Sequence, residues 1–399
     1  MSPTETETDT ETDTGTDSAL APAPTRQGVD PRAAARALAT EWREAGRYTP
    51  RSDAWLRSFD RDFSRELAGR GMTAMTWPVE YGGHALRNVD RLAVTEELLR
   101  AGAPVAAHWI GDRQIGPAIL RHGSPALKAE ILPRIAATDA VFCLGMSEPE
   151  AGSDLASVRT TARRVAGGWR LSGHKIWTSH AHHATHAYVL ARTTPREDVD
   201  RKHQGLSEFV VDMDADGVST GAIPDLAGEH HFNEVRFEDV YVPEGRLIGT
   251  EGEGWRQVVG QLSFERGGAE RVLSSYPVLV ALLAEAARPA RAGAAVPDTI
   301  AVSIGSLTAR LTVLRRLCWD VASAMDRGET PVRAAAALKY LGNAFENDVV
   351  EAFREASGGL PPTAESDFGQ ALLAAPAFGL RGGASDVLLS LIAREETRA

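Results

Sequence analysis

Two short stretches carry residue types suited to holding a flat, phosphate-bearing ligand. In Gly145-Met146-Ser147-Glu148-Pro149-Glu150-Ala151-Gly152-Ser153-Asp154, glycine and proline impose a tight, irregular backbone. Ser147, Ser153 and the local N–H groups can donate to a phosphate or to a ring edge. In Lys175-Ile176-Trp177-Thr178-Ser179, an indole can stack on a flat ring system while the adjacent hydroxyls bond its nitrogens. Each stretch has an ordinary alternative. A Gly-Ser-Asp turn alone is usually just a turn, and a Trp at a strand end is usually core packing.

A third stretch, Leu262-Ser263-Phe264-Glu265-Arg266, offers a carboxylate. Val258, Leu262, Glu265, Ala269 and Val272 recur at steps of three and four, which places Glu265 on an apolar stripe of a helix. A carboxylate there is expensive unless it is paired or functional. It can serve as a general base, with a dry pocket raising its pKa toward working pH, or as half of a buried ion pair with an arginine. Arg266 is suited to orienting the helix or pocket rather than to reacting. Weaker groupings are His180, His182, His183 and His186, which crowd one segment with no carboxylate or Cys to complete a metal site, and His108, Trp109 and Arg113 in a helical region. No Gly-x-Gly-x-x-Gly or Gly-Lys-Ser/Thr element appears where a dinucleotide or P-loop motif needs one.

Three regions must position these residues. After an acidic tail over residues 1–28, which carries Glu5, Glu7, Asp9, Glu11, Asp13 and Asp17 and is expected to be disordered, residues 29–138 read as a helical domain. Ala33–Trp42 and Ala54–Leu67 show three-and-four spacing, and Leu92–Leu99 and Ile115–Leu120 show it less clearly. Trp77-Pro78-Val79-Glu80-Tyr81-Gly82-Gly83 breaks the pattern with loop chemistry. Residues 139–249 change period: Tyr188–Ala191 and Phe209–Val211 read as strands, and Gly167-Gly168 as a hairpin turn between Val165 and Trp169. Short strands separated by turns predict a small sandwich or barrel. Residues 250–399 turn helical again, with long amphipathic stretches over Ala301–Ala324 and Val332–Phe353, a break at Gly358-Gly359-Leu360-Pro361-Pro362, and a last helix over Ser385–Arg394.

Composition narrows the function classes. With 399 residues, 43% hydrophobic and 24% charged, the chain can bury a large core divided among two or three units. Its formal charge of -11 argues against a nucleic-acid surface. No apolar run approaches the roughly 18–20 residues of a membrane span. Cys143 and Cys318 show no metal-type or disulfide spacing, and a reducing cytoplasm fits best.

Together, the Ser147-Glu148-Pro149…Gly152-Ser153-Asp154 and Lys175-x-Trp177-x-Ser179 segments resemble the acyl-CoA dehydrogenase family. Trp77-Pro78 with Tyr81-Gly82-Gly83, His231 through Pro243, Gly252-Glu253-Gly254-Trp255 and Ile392-Ala393-Arg394-Glu395 extend the likeness, in order, over residues 30–395. The resemblance implies an α+β architecture: an N-terminal helical domain, a middle β-sandwich or barrel domain and a C-terminal four-helix bundle. It implies FAD between the last two. Leu144, Met146 and Ser147 would contact the flavin ring, Ser153 would approach the pyrophosphate, Trp177 would flank the ring with Thr178 beside it, and Ser179 would sit near N5. The implied reaction removes the α-proton of an acyl thioester while the β-hydrogen leaves as hydride to flavin.

Many relatives carry the base near the C-terminus, where this chain reads Arg381-Gly382-Gly383-Ala384-Ser385 and Gly382 holds the glutamate position. Isovaleryl-type and long-chain members instead use a Leu-x-x-Glu-Arg glutamate, which is Glu265 here. Trp109, Arg266 and Gly382 would border the substrate pocket. A cross-subunit Arg-x-x-Phe-Gly element is missing, and Arg288–Asp298 reads as an Ala/Arg/Gly-rich loop. The implied substrate is an acyl-CoA or an acyl group on a carrier protein, as in fatty acid or secondary metabolism. The implied electron acceptor is an electron-transfer flavoprotein, and the implied assembly a homodimer or homotetramer. A hetero-oligomer containing this chain as a non-catalytic flavin-binding subunit is the reading from another class.

Overall fold

The computed structural model describes residues 30–397, apart from 266 and 360–362 and the side chains of 262–265, 290 and 395. The acidic tail therefore lies outside the described residues. The N-terminal region contains α1 (Pro31–Glu44), α2 (Ala54–Arg57), α3 (Arg61–Gly69), α4 (Asn88–Arg100), α5 (Ala106–Ile110), α6 (Gly116–His122) and α7 (Pro125–Ala136). Local chemistry sets their starts: Asp30 accepts from Arg32 N, with Pro31 as the first helical residue, and Ser124 accepts from Leu127 N ahead of Pro125. The single helix expected over Ala54–Leu67 is two helices. Ser58 turns extended and Asp60 caps a fresh start by accepting from Phe63 N at 2.8 Å. Between α5 and α6 the backbone widens into a π turn, Gly111–Ile115.

The middle region holds β1 (Phe142–Gly145), β2 (Thr161–Val165), β3 (Gly168–Lys175), β4 (His186–Arg192), β5 (Leu206–Asp212), β6 (Val218–Ile223), β7 (Phe232–Pro243) and β8 (Leu247–Ile248). They form one mixed sheet in the order β6-β7-β3-β2-β4-β5-β8, with β1 parallel to β4. The Gly167-Gly168 hairpin joins β2 to β3 as expected, Val165 facing Gly168. Two wings result, β6-β7-β3-β2 and β1-β4-β5-β8. They meet in one backbone pair, Thr161 with Arg192. Cys143, Trp169, Leu171, Val189, Phe209 and Phe237 from both wings share one apolar core.

The C-terminal region contains α8 (Gly254–Glu265), α9 (Tyr276–Arg291), α10 (Asp298–Asp326), α11 (Val332–Ala356), α12 (Asp367–Phe378) and α13 (Ser385–Glu396). The loop expected at Arg288–Asp298 is shorter, because α9 runs through Pro289 to Arg291 and α10 begins at Asp298. A core of α1, α3 and α4 side chains with α9–α12 side chains, including Leu38, Phe63, Leu98, Leu282, Phe345 and Phe378, fuses the two helical regions. No helix among the described residues is long and apolar enough to cross a membrane.

Candidate active site

The two loop stretches meet at the ends of β1 and β3. Ile176 N donates to Ser147 O at 3.0 Å. Beneath that bond, Lys175 is fully buried and donates from Nζ to Met146 O (3.1 Å) and to Glu148 Oε1 (2.8 Å). Glu148 also accepts from Arg159 N (2.6 Å), Thr160 N (2.9 Å) and Thr160 Oγ1 (2.6 Å). Burial alone would raise the Glu148 carboxyl, but the Lys175 ammonium and these donors hold it below its ordinary value. Burial pushes Lys175 down to about 8 against the pull of Glu148. A satisfied buried pair of this kind fixes the geometry of both loops, and breaking it would strand a charge. The pair escapes the sequence because its members lie 27 residues apart and each reads as a solvated charge.

Trp177 is not core packing. It is 55% exposed, stands on a backbone with φ +56°, and meets the ring of Phe232 edge-on, 5.7 Å between centroids. A bulky residue held at positive φ and turned outward is strained, and such strain concentrates at functional sites. Thr178 follows, fully buried, with its backbone exchanging two hydrogen bonds with Asn233 and its hydroxyl lacking a partner. Ser179 is buried; Leu144 and Ser147 are half-buried and Met146 is buried at the facing loop. Ser153 is exposed beyond the Glu148–Ala151 turn, and nothing stands within 4 Å of where a Gly152 Cβ would be. An outward indole, an unpartnered buried hydroxyl and an open glycine-bearing turn fit a flat cofactor with a phosphate tail laid across both loops.

Helix α8 approaches from the other side. Gln257 anchors its first turn by donating from Nε2 to Glu208 Oε2 and Ile248 O, both at 3.2 Å. The helix ends at Glu265, whose side chain, like all of Arg266, lies outside the described residues. The apolar stripe therefore does not continue as one helix through Ala269 and Val272. Gly267-Gly268 interrupts it, and Ala269–Arg271 forms a separate 3-10 turn. Trp109 is 1% exposed, with its ring tilted against Trp55 (5.7 Å between centroids) and under the Arg113 guanidinium (4.8 Å). Gly382 has φ +69°, and a Cβ there would stand 3.1 Å from Arg271 Nη2, so a buried guanidinium fills the space beside it.

The histidines divide differently from their spacing. His186 stacks on Phe142 in β4, away from the others. His180, His182 and His183 are instead joined by His230 and His231, with His182 and His230 rings 4.0 Å apart. His180 donates from Nε2 to Leu56 O at 2.7 Å. Asp225, Glu229 and His231 bring three ligand-type atoms within 4.8 Å of one another, but Arg57 pairs with both acids at 2.8 and 3.0 Å. That web, with Arg381 on Asp53 and Trp55 Nε1 on Ser274 Oγ (2.9 Å), staples residues 51–57 to the sheet and to the bundle.

Comparison with known proteins bears on this geometry. Residues 32–139, 143–240 and 252–396 match, in turn, the N-terminal, middle and C-terminal domains described for acyl-CoA dehydrogenases. Acyl-CoA dehydrogenase FadE26 of Mycobacterium tuberculosis is 32% identical over 75% of this chain and 75% of its own length. Acyl-CoA dehydrogenase IpdE1 of Mycolicibacterium smegmatis is 41% identical over 52% of this chain, a match spanning about half, 55%, of that relative. Among solved structures, the ChsE4-ChsE5 complex from Mycobacterium tuberculosis superposes with a TM-score of 0.78 at 28% identity, covering 95% of this chain and 99% of that one. The Tcur3481-Tcur3483 steroid ACAD superposes with a TM-score of 0.80 at 25% identity, covering 92% and 96%.

Proposed function

The chain belongs to the acyl-CoA dehydrogenase family of FAD-dependent oxidoreductases, and on that premise we propose that it desaturates an acyl thioester between its α- and β-carbons. The observation that carries the reading is the clasp of the Ser147 and Trp177 loops around Lys175 and Glu148, which leaves Trp177 outward and Thr178 Oγ1 unpartnered. Leu144, Met146, Ser147, Trp177, Thr178 and Ser179 would hold the ring of FAD, and Ser153 its phosphates. When bound, FAD supplies the acceptor for the β-hydrogen as hydride. Glu265 takes the α-proton. Gly382 cannot do so, and the helix bearing Glu265 is fixed at its other end by Gln257.

The thioester handle is best read as coenzyme A. A groove of about 830 Å³ on the β region is lined by Arg159, Arg163, Arg164, Arg170, Arg196 and Lys202, beside the exposed Ser153 turn. Clustered guanidinium groups suit phosphates. Exposed Val280 and Leu283 on α9 and Val302 and Val313 on α10 support assembly with another subunit through the bundle. The test is anaerobic titration of the FAD-loaded protein with a panel of acyl-CoAs. Bleaching of the visible flavin band by one thioester class is the expected result, and a flavin band unmoved by every member would sink the reading.

A further inference from the structure

The basic groove on the β region borders an incomplete sheet. On one edge β2 pairs with β3 from Thr161 to Val165, and on the other it meets β4 at Thr161. From Ala162 to Val165 that second edge has no strand partner among the described residues, and Ala162, Arg163 and Arg164 line the groove. An open edge offers N–H and C=O groups to an extended segment. The groove is also unevenly charged. Arg159, Arg163, Arg164, Arg170, Arg196 and Lys202 line it against Glu197 and Asp239. Lys202 pairs with Asp154 at 2.6 Å, and Arg164 with Glu244 and Glu251 at 2.6 and 2.9 Å, every partner being exposed. Exposed pairs of this kind contribute little and give way to other anions. Arg163 and Arg170 share Asp239 at 3.9 and 3.6 Å. Arg196 donates to Val199 O, and neither it nor Arg159 has a carboxylate partner among the described residues.

The chain itself carries a segment that matches this groove. From Thr4 to Asp17, threonine alternates with Glu5, Glu7, Asp9, Glu11, Asp13 and Asp17, broken at Gly15, and no Lys or Arg intervenes. Alternation at period two puts the carboxylates on one face of an extended chain and the threonines on the other. Threonine favours that conformation. A segment this polar cannot order by burying apolar surface, but it can order against a surface of opposite charge. The roughly 13 residues from Asp17 to Asp30 reach about 45 Å when extended, about twice the radius of gyration expected for a fold of this size. We propose that residues 4–17 lie along the open edge of β2 in this groove of the same chain, carboxylates toward its arginines, and so shield the groove from the phosphates of coenzyme A. The docking stands on the groove and the tail, and the shielding rests on the coenzyme A reading above.

Docking is tested by hydrogen exchange in the full-length, FAD-loaded protein and in a full-length variant whose six tail acids are neutralised (Glu5→Gln, Glu7→Gln, Asp9→Asn, Glu11→Gln, Asp13→Asn and Asp17→Asn). At about 50 mM salt the Ala162–Val165 amides should exchange on the order of fivefold faster in the variant, and at about 0.5 M salt screening should erase the difference. Equal exchange at low salt overturns the proposal. So does protection that rises with protein concentration, which places the tail of a neighbouring copy in the groove. Shielding is tested by calorimetric titration with desulfo-CoA, which keeps the phosphates and lacks the thiol. The neutralised variant is expected to bind it on the order of fivefold more tightly than wild type at low salt, and the gap should close when Arg163→Gln and Arg196→Gln are added to both proteins. Equal affinity in wild type and the neutralised variant overturns the shielding. Anaerobic flavin bleaching by acyl-CoAs keeps the two readings apart. Bleaching of both proteins with equal desulfo-CoA affinity removes the shielding and leaves the dehydrogenase, whereas tail-dependent protection of β2 with no bleaching leaves the docking and removes the dehydrogenase.

Discussion

Acidification should weaken this protein through His180 by an amount that can be worked out in advance. The ring is 5% exposed, and its Nε2 donates to Leu56 O, which can only accept. The proton therefore sits on Nε2, and Nδ1 is buried with no partner. A second proton would land on Nδ1 with nothing to receive it. Burial pushes this group down to about 3, and His231, His182 and His183 push the same way. An unfolded histidine has a pKa of about 6.5. Between those values the unfolded chain binds a proton that the folded chain refuses, so stability falls as pH drops below about 6.5. At about 1.4 kcal/mol per pH unit, the loss by pH 5 is about 2 kcal/mol from this residue. Other groups titrate too, so the useful comparison is wild type against His180→Gln, which keeps a donor for Leu56 O and cannot take a proton. Urea unfolding at pH 7 and pH 5, with FAD held constant, should show the variant losing about 2 kcal/mol less than wild type over that interval. The same loss in both proteins would refute the reasoning.

Other perturbations separate structure from chemistry. Lys175→Met strands the buried Glu148 carboxylate and should lower stability by roughly 3–5 kcal/mol, while Lys175→Met with Glu148→Leu should recover much of it in the same denaturation assay. Trp177→Ala removes a ring that is more than half exposed, so the unfolding free energy should change by no more than about 0.5 kcal/mol while FAD dissociates more readily in an ultrafiltration assay; unchanged flavin retention would count against the stacking role. Gly382→Ala forces a Cβ to 3.1 Å from Arg271 at φ +69° and should cost about 1–2 kcal/mol by thermal denaturation. Glu265→Gln should keep FAD in the purified protein but lower turnover by several orders of magnitude in a dye-reduction assay.

The order of helical, strand and helical regions was legible because period two and period 3.6 leave different marks on the chain. The clasp was legible only in part. Trp177 and Ser147 announce themselves by type, but whether an indole faces the core or the solvent depends on the backbone sign at that residue, which propensity does not encode. Lys175 and Glu148 form their pair through the meeting of β1 and β3, a contact between segments that nothing local foretells. The stripe through Glu265 misled by two residues' chemistry: it counted apolar spacing across Gly267-Gly268, where the helix has already stopped.

The two wings of the sheet meet in a single backbone pair, and the loops of the candidate site belong to opposite wings: the Ser147 loop follows β1, and Trp177 follows β3. A ligand lying across both loops bridges that seam as a cross-link would. The wings are then expected to breathe against each other in the empty protein and to stop when FAD is bound. Backbone amides at the seam, Ile176 and Arg192 foremost, would show the change as slowed hydrogen exchange, while amides in the middle of β4 and β5 would exchange alike in both states. Cofactor loading would then register as a gain in the cooperativity of the β region, with no strand added or moved.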